Sequence, residues 1–337
     1  MSSVSIFTPY RRGEITAAAL RLADFCLARG LDLKLNALGP VEKDVHPFWD
    51  DRVRAKADSD SSTYAVSFSR DTPQYKATKH LLAIPPHRLV PLTEAVRAAG
   101  LFDTVVLPSR QSMDALVATS PELAPGLAWC SWDAGVEPVC RSGTVEEDRI
   151  KFYVPMGPDA INAGGLFILN VLKELLMRRS DVDVMIDSDR LWDKRGRKMI
   201  VDMARNWPKR FISIIRSPLT VQLQWLHRHD WTFVTDVRAG FGLMLGRSLA
   251  CGAPVIAYDV PPWSDLVCPG HHGMLIPCEH SISVPWSPVA IPTLGPTVDA
   301  LLRATREQLA LCRTKQWGLE LRKAAFERFW AGQFEVD

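Results

Sequence analysis

The apolar positions of this chain alternate between short continuous runs and longer stretches with helical spacing. The runs at residues 4–7 and 31–35 enclose a segment in which Ala18, Leu22 and Phe25 recur on one helical face, with Gly30 as its stop. Strand, helix and strand in this order form the unit from which parallel sheets covered by helices are built. The first segment therefore predicts an α/β fold.

The alternation continues to the end of the chain and predicts two parallel sheets. In the first half, strands are predicted at residues 64–68, 104–107 and 127–130, and helices at 74–82, 92–99 and 109–116. In the second half, strands are predicted at 150–155, 182–186, 211–215, 231–234 and 254–258, and helices at 166–178, 194–206, 220–228, 243–250, 297–312 and 316–330. The polar residues 139–148 are typical of a linker, so we expect a first domain at 1–140 and a second from 150.

Composition and charge are those of an ordinary globular chain. Its 337 residues suffice for two domains with separate cores, and 47% of them are hydrophobic. The 40 Lys and Arg nearly balance the 38 Asp and Glu, so the net charge favours no class of partner. The seven cysteines are never spaced C-x-x-C, and no apolar run approaches the ~20 residues of a membrane span. We therefore expect a cytoplasmic protein with reduced thiols and no metal site.

The most distinctive pattern lies in residues 230–277. Its order is an apolar run, a glycine loop, an amphipathic helix and a second apolar run, at residues 231–234, 240–243, 243–250 and 254–258. Gly240 and Gly242 lack side chains, so a ligand can approach their backbone closely. The helix that begins there directs unpaired N–H groups and the positive end of its dipole at this space, which favours phosphate. A tight turn without a ligand is the alternative explanation of the two glycines.

This stretch resembles the nucleotide-sugar-binding segment of GT-B glycosyltransferases of the family 4 kind. The family's GFGL is present at residues 240–243, and its A-x-G-x-P-V-I-A at 250–257. Residues 265–267 and 270–277 are similar to its E-x-V and G-x-x-G-x-L-V-P. The resemblance implies two Rossmann-like domains whose parallel sheets face each other across a cleft. The first, 1–140, would take the acceptor, and the second, 150–313, the nucleotide sugar.

The resemblance also implies that the last segment, residues 314–337, crosses back to the first domain as a helix. Amphipathic helical faces usually pack into a core, which agrees with that expectation. A helix lying on a membrane surface is the alternative for this segment.

Several charged residues of the family are missing from this chain. Ala239 and Arg247 stand where the family has its two glutamates, which contact the transferred sugar and the ribose. Pro158 and Ala163 stand where an arginine and a lysine hold the donor diphosphate. Each lost charged hydrogen bond is worth about 1.5–3 kcal/mol. Three explanations are open: other residues replace the lost ones, the donor differs, or the site no longer turns over.

Candidate replacements are spread over both halves. Arg247 and Arg216 could bind phosphate, as could Arg11 and Arg12, which follow the first strand where open α/β sheets bind ligands. Asp236 could contact sugar hydroxyls and is the candidate catalytic residue, although a helix cap explains it equally well. The remaining candidate donor contacts are Gly157, Gly240, Phe241, Gly242 and Leu243.

We therefore expect a glycosyltransferase that moves a sugar from a UDP- or GDP-sugar to an acceptor hydroxyl, with retention and without a cofactor. The acceptor is open; basic clusters such as residues 194–198 make a nucleic acid, as in phage enzymes that glycosylate DNA bases, one alternative. A protein of this fold that binds without turnover is a second alternative, because the acids are missing. A dinucleotide-dependent oxidoreductase is a third, since its fingerprint is imitated by Gly240, Gly242, Gly246 and Asp259.

Overall fold

The structure is a computed structural model. It describes residues 2–10, 13–42, 45–46, 48–54, 62–70, 75–136, 149–188, 192–215, 217–237, 240–261, 263–281, 284–287, 289–313 and 319–335. The predicted linker at 139–148 and the candidates Arg11, Arg12 and Arg216 lie outside the described residues.

Six parallel strands form the first sheet, in the order β2-β1-β3-β4-β5-β6. They are β1 Ser3–Thr8, β2 Asp32–Ala37, β3 Ser62–Ser67, β4 Ala77–Ala83, β5 Thr104–Leu107 and β6 Leu127–Trp129. The helices of this half are α1 Glu14–Ala28, α2 Leu92–Leu101 and α3 Arg110–Thr119. Central strands bury consecutive residues because both faces of a parallel sheet are covered, as at Ile6 and Phe7.

Six parallel strands also form the second sheet, in the order β12-β11-β10-β7-β8-β9. They are β7 Ile150–Met156, β8 Val182–Ser188, β9 Phe211–Ile215, β10 Trp231–Phe233, β11 Val255–Tyr258 and β12 Gly273–Ile276. The helices and hairpin strands are α4 Pro158–Arg178, α5 Lys194–Asn206, α6 Leu219–Arg228, α7 Leu243–Ala250, α8 Trp263–Leu266, β13 Glu279–Ser281, β14 Val289–Ile291, α9 Leu294–Arg303 and α10 Arg306–Arg313. The two parallel sheets with their helices confirm the predicted α/β class.

The helix predicted at residues 74–82 is wrong, because this segment contains strand β4. β4 lies between β3 and β5, and its residues Leu81, Leu82 and Ala83 are all buried. A short apolar run of this kind occurs both in helices and in strands that are covered on two faces. The place of this segment between β3 and β5 shows that it is a strand and not a helix.

Two further predicted helices differ clearly from the structure. Helix α4 begins at Pro158, directly after Gly157, and not at residue 166. The helix includes Gly165. A Cβ at this position would stand 2.7 Å from the Trp192 ring, so a glycine here makes room for the indole. The single helix predicted at 297–312 is two helices, α9 and α10, and the Thr305 hydroxyl accepts a hydrogen bond from the Gln308 N–H in the first turn of α10 (3.4 Å).

The two halves of the chain share apolar clusters. Phe241 and Leu243, from the second half, are buried with the core of the first sheet. Trp286, from the segment between the hairpin strands, is buried in the cluster formed by β4, β5, α2 and α3. The halves are therefore packed against each other in this structure.

The last described helix, α11 Leu319–Phe334, contacts both halves. Its residues Phe326, Trp330 and Phe334 are fully buried in the core of the first sheet. Arg322 donates a hydrogen bond to the Leu266 carbonyl in the second half, and burial lowers the pKa of its guanidinium to about 10. Within the described ranges, no helix is long and apolar enough to cross a bilayer.

Candidate functional site

Each sheet reverses its strand order at one point. In the first sheet the reversal lies between β1 and β3, and in the second between β7 and β10. Open α/β sheets bind ligands in the crevice at such a point, beyond the carboxyl ends of the strands. The segments that follow β1 and β10 are therefore the places to look, and they lead to Glu14 and to the glycine loop, residues 240–243.

The glycine loop has a backbone that requires its glycines. Gly242 has φ 74°, a left-handed conformation, and a Cβ there would stand 2.6 Å from Leu266 Cδ1. Helix α7 begins at the next residue, so the loop N–H groups lie at a helix N-terminus. At Gly240, an added Cβ would stand 1.5 Å from Glu14 Oε2. The space next to this glycine is occupied by a carboxylate of the first half.

Glu14 binds the loop through its side chain. The Leu243 N–H donates a hydrogen bond to Glu14 Oε1 at 3.0 Å. Burial raises the pKa of the Glu14 carboxyl, and the N–H groups of Leu243, Phe241 and Gly242 and the charge of Arg247 oppose that rise. The loop N–H groups and Arg247 therefore favour the ionised form of Glu14, against the larger effect of its burial.

Arg247 lies one turn into α7 beside this carboxylate. Its Nε atom is buried and has no hydrogen-bond partner among the residues that the structure describes. Burial lowers the pKa of its guanidinium, and the nearby charge of Glu14 acts in the opposite direction. A buried donor without an acceptor is costly, and it is consistent with a ligand that supplies the acceptor.

Aromatic rings close the other side of the loop. The Phe241 ring lies 4.7 Å from the Trp132 ring and 5.9 Å from the Phe68 ring, measured between centroids. Trp132 is itself fixed by a hydrogen bond from its indole N–H to the Ala18 carbonyl, at 3.1 Å. The loop is thus held in place by residues of the first half.

A second polar contact joins the two halves of the protein. The Ser109 hydroxyl donates a hydrogen bond to Asp265 Oδ2 at 2.7 Å, and it also caps helix α3 by accepting from the Ser112 N–H. Asp265 belongs to the segment that resembles E-x-V. In this structure the Asp265 carboxylate contacts the first half through Ser109.

The structure brings some of the predicted site residues together. Gly240, Phe241, Gly242, Leu243 and Arg247 surround one carboxylate. Their roles toward a donor stay predictions, as do those of Arg11, Arg12 and Arg216, which lie outside the described residues.

Asp236 and Gly157 lie near the ends of β10 and β7. Asp236 is half-buried, and its backbone carbonyl accepts a hydrogen bond from the Trp263 indole at 3.2 Å. Gly157 directly precedes helix α4. Both residues thus follow strands next to the reversal point of the second sheet, and their functional roles also stay predictions.

Glu14 was not among the residues that the sequence indicated. The sequence offers only a weak indication of its role. Glu14 is the first acidic residue after the first strand, but it stands at the start of a helix, where an acidic residue is common. The side chain makes no cap for its own helix and instead contacts the other half of the protein.

The loop differs from a dinucleotide-binding turn. β10 ends at Phe233, and residues 234–239 separate it from the first glycine. The dinucleotide fingerprint places its glycine turn directly at the strand end. Asp259, which would hold the ribose in that reading, is exposed. This geometry disfavours the oxidoreductase alternative.

Comparisons with solved structures identify the fold. The chain is similar to sucrose-phosphate synthase from Thermosynechococcus elongatus (14% identity, 99% of this chain and 98% of that chain, TM-score 0.69) and to Anabaena HepE in complex with UDP-glucose (12% identity, 98% of each chain, TM-score 0.63). It is also similar to TarM of S. aureus in complex with UDP (13% identity, TM-score 0.55), covering 81% of this chain and 55% of that longer one.

No protein-family model matches the chain, and no curated protein matches it by sequence. The structural similarity nevertheless spans nearly the whole chain in two of the three proteins above. The chain therefore has the GT-B fold, with two six-stranded parallel sheets. Membership of family 4 stays a prediction.

Proposed function

We propose that the protein is a glycosyltransferase that transfers a sugar from a nucleotide sugar to an acceptor hydroxyl. The observation that carries the proposal is the Glu14 carboxylate on the N–H groups of the glycine loop. It means that these groups, at the reversal point of the second sheet, have the geometry to bind an anion. A nucleotide sugar presents an anion of the same kind in its diphosphate, and two proteins of this fold are described in complex with UDP or UDP-glucose.

In the proposed complex, the loop N–H groups and Arg247 bind the diphosphate. Arginine suits phosphate because its planar fork donates two parallel hydrogen bonds. Arg11, Arg12 and Arg216 are further candidates for this contact, and Asp236 for the sugar hydroxyls. The reaction retains the anomeric configuration, needs no cofactor, and gains most of its rate from holding the donor against the acceptor.

The acceptor is proposed to carry phosphate groups, as a nucleic acid does. Helix α5 follows β8 at the carboxyl edge of the second sheet and exposes a cluster of cations, Lys194, Arg195, Arg197, Lys198 and Arg205. Clustered Lys and Arg bind phosphate backbones with a strong dependence on salt. A DNA gel shift that weakens as salt rises supports this acceptor, and no shift at low salt overturns it.

A second function, ligand binding without sugar transfer, is favoured by one observation. Phe241 and Leu243 of the loop are buried between the halves, and the Leu243 N–H already donates a hydrogen bond to Glu14. A protein of this fold that binds a ligand without turnover would tolerate such a closed site.

Mass spectrometry with a panel of UDP- and GDP-sugars separates the two functions. Free UDP or GDP together with a glycosylated acceptor is expected of the transferase. Nucleotide-sugar binding without release of free nucleotide identifies the binding protein. Absence of any nucleotide-sugar binding overturns both.

A further inference from the structure

The contact between Glu14 and the glycine loop joins the two halves at the proposed donor site. Glu14 belongs to the first turn of α1, and its Oε1 accepts the Leu243 N–H at 3.0 Å. Its Oε2 lies where a Cβ on Gly240 would approach to 1.5 Å. The carboxylate therefore fills the space that the missing side chain leaves open.

A backbone N–H donates a good hydrogen bond to one acceptor at a time. The Glu14 carboxylate and a diphosphate cannot both accept from Leu243, and the space beside Gly240 holds only one of them. We propose that Glu14 is an internal ligand of the glycine loop, which competes with the donor diphosphate and must leave before the donor binds. The inference rests on the proposed function, because it names the residue that controls access to the same site.

Arg247 stays beside a negatively charged group in such an exchange. Its guanidinium is partly neutralised by Glu14, and its buried Nε lacks an acceptor among the described residues. A diphosphate that replaces the carboxylate restores the negative charge beside Arg247 and offers more oxygen acceptors. The Arg247 guanidinium therefore keeps an oppositely charged partner when the diphosphate replaces Glu14.

The exchange also affects how the halves are held together. Glu14 is on the first half, whereas the loop that it binds is on the second. When Glu14 leaves, this link is lost, while the links through Trp286 and through Ser109 and Asp265 do not depend on it. Donor binding is thus coupled to a local opening between α1 and α7.

Calorimetric titration with UDP and with inorganic pyrophosphate tests the inference on the full chain. Glu14→Ala removes the competitor, and Glu122→Ala is the matched control, since Glu122 is exposed. We expect Glu14→Ala to bind both probes about tenfold more tightly than the wild type, the equivalent of one charged hydrogen bond no longer displaced. Glu122→Ala should bind like the wild type. Equal or weaker binding by Glu14→Ala overturns the inference.

The isosteric variant Glu14→Gln gives a second readout that does not depend on an alanine at a packed position. Gln has nearly the shape of Glu14 but carries no charge, so it should compete less well than Glu14 for the loop N–H groups. We therefore expect Glu14→Gln to bind UDP more tightly than the wild type and less tightly than Glu14→Ala. Binding of UDP by Glu14→Gln that is equal to or weaker than binding by the wild type overturns the inference.

The two probes also separate this inference from the proposed function. If pyrophosphate shows the expected difference and UDP binds to none of the proteins, Glu14 is the competitor but the nucleotide-sugar function is wrong. If UDP binds equally to the wild type and to Glu14→Ala, the function survives and the inference fails. If neither probe binds to any variant, both are overturned.

Discussion

The indole N–H of Trp286 donates a hydrogen bond to the carbonyl oxygen of Leu89, with the two atoms 3.3 Å apart. The two residues lie in different halves of the protein, and the Trp286 side chain is 3% exposed within the cluster formed by β4, β5, α2 and α3. One residue of the second half is therefore part of the core of the first. The packing between the halves depends on large side chains as well as on the contacts at the glycine loop.

Replacing Trp286 by alanine should destabilise the whole protein. Removal of a buried tryptophan leaves a cavity and typically costs about 3–5 kcal/mol, so we expect a loss near 3 kcal/mol in the free energy of unfolding. Urea denaturation followed by circular dichroism measures it. Trp129→Ala is the control, since Trp129 is 40% exposed and should lose less than about 1 kcal/mol. Equal losses in the two variants would show that Trp286 is not part of the core.

Gly242→Ala should impair donor binding more than an equivalent substitution elsewhere. Gly242 and Gly270 have nearly the same φ, 74° and 75°, so an alanine strains the backbone similarly at both. A Cβ at Gly242 overlaps Leu266, whereas Gly270 has open space around it. We expect Gly242→Ala to lose UDP affinity by about tenfold or more, measured by calorimetry, and Gly270→Ala to keep it. An unchanged affinity in Gly242→Ala would place the ligand away from the loop.

Arg247→Gln should weaken the binding of UDP by about tenfold, because a charge-assisted hydrogen bond to phosphate is replaced by a neutral one. Arg195→Gln makes the same chemical change at an exposed position of α5 and should leave UDP binding unchanged. Fluorescence or calorimetric titration measures both. Tighter binding by Arg247→Gln would mean that Arg247 serves only to hold Glu14 on the loop.

The titration of Glu14 predicts how stability depends on pH. Its pKa in the folded protein lies above the ordinary 4.5 because the side chain is buried, with Arg247 and the loop N–H groups opposing the shift. A raised pKa means that the folded state holds the proton more tightly than the unfolded chain does. The stabilising contribution is therefore complete below 4.5 and is lost as the pH rises through the folded-state value.

Glu14→Gln isolates this contribution. The wild type should lose unfolding free energy relative to Glu14→Gln as the pH rises from 4.5, by about 1.4 kcal/mol for each pH unit that separates the folded and unfolded pKa values. Urea midpoints at a series of pH values measure the difference, and other carboxyl groups titrate in both proteins and cancel. A difference that stays constant with pH would show that Glu14 does not titrate as described.

The local backbone structure of the site could be predicted from the sequence. The order of strand, GFGL, helix and strand in residues 230–277 predicted a loop whose N–H groups lie at a helix N-terminus, and α7 begins at Leu243 as expected. Hydrogen bonding within a helix and the backbone freedom of glycine act over a few residues, so they can be inferred from neighbours in sequence. The same holds for the alternation of strands and helices that predicted the α/β class.

Long-range contacts could not be inferred in this way. The segment that forms β4 has a pattern compatible with a helix, and only its place between β3 and β5 made it a strand. The contact of Glu14 with Leu243 joins residues that are 229 positions apart, and Trp286 lies 197 positions from Leu89. Nothing in the sequence around Glu14 indicates that it contacts Leu243, and nothing around Trp286 indicates that it contacts Leu89.

The sequence by itself therefore determined which segments form strands and helices, with the exceptions noted above, and where a helix N-terminus could bind an anion. The tertiary structure alone decided that the Glu14 carboxyl group occupies that place, that Arg247 lies next to it, and that aromatic residues of the first half cover the loop. The physical reason is that local backbone preferences act between neighbours in the chain. Burial, charge pairing and side-chain packing act between surfaces that only folding brings together.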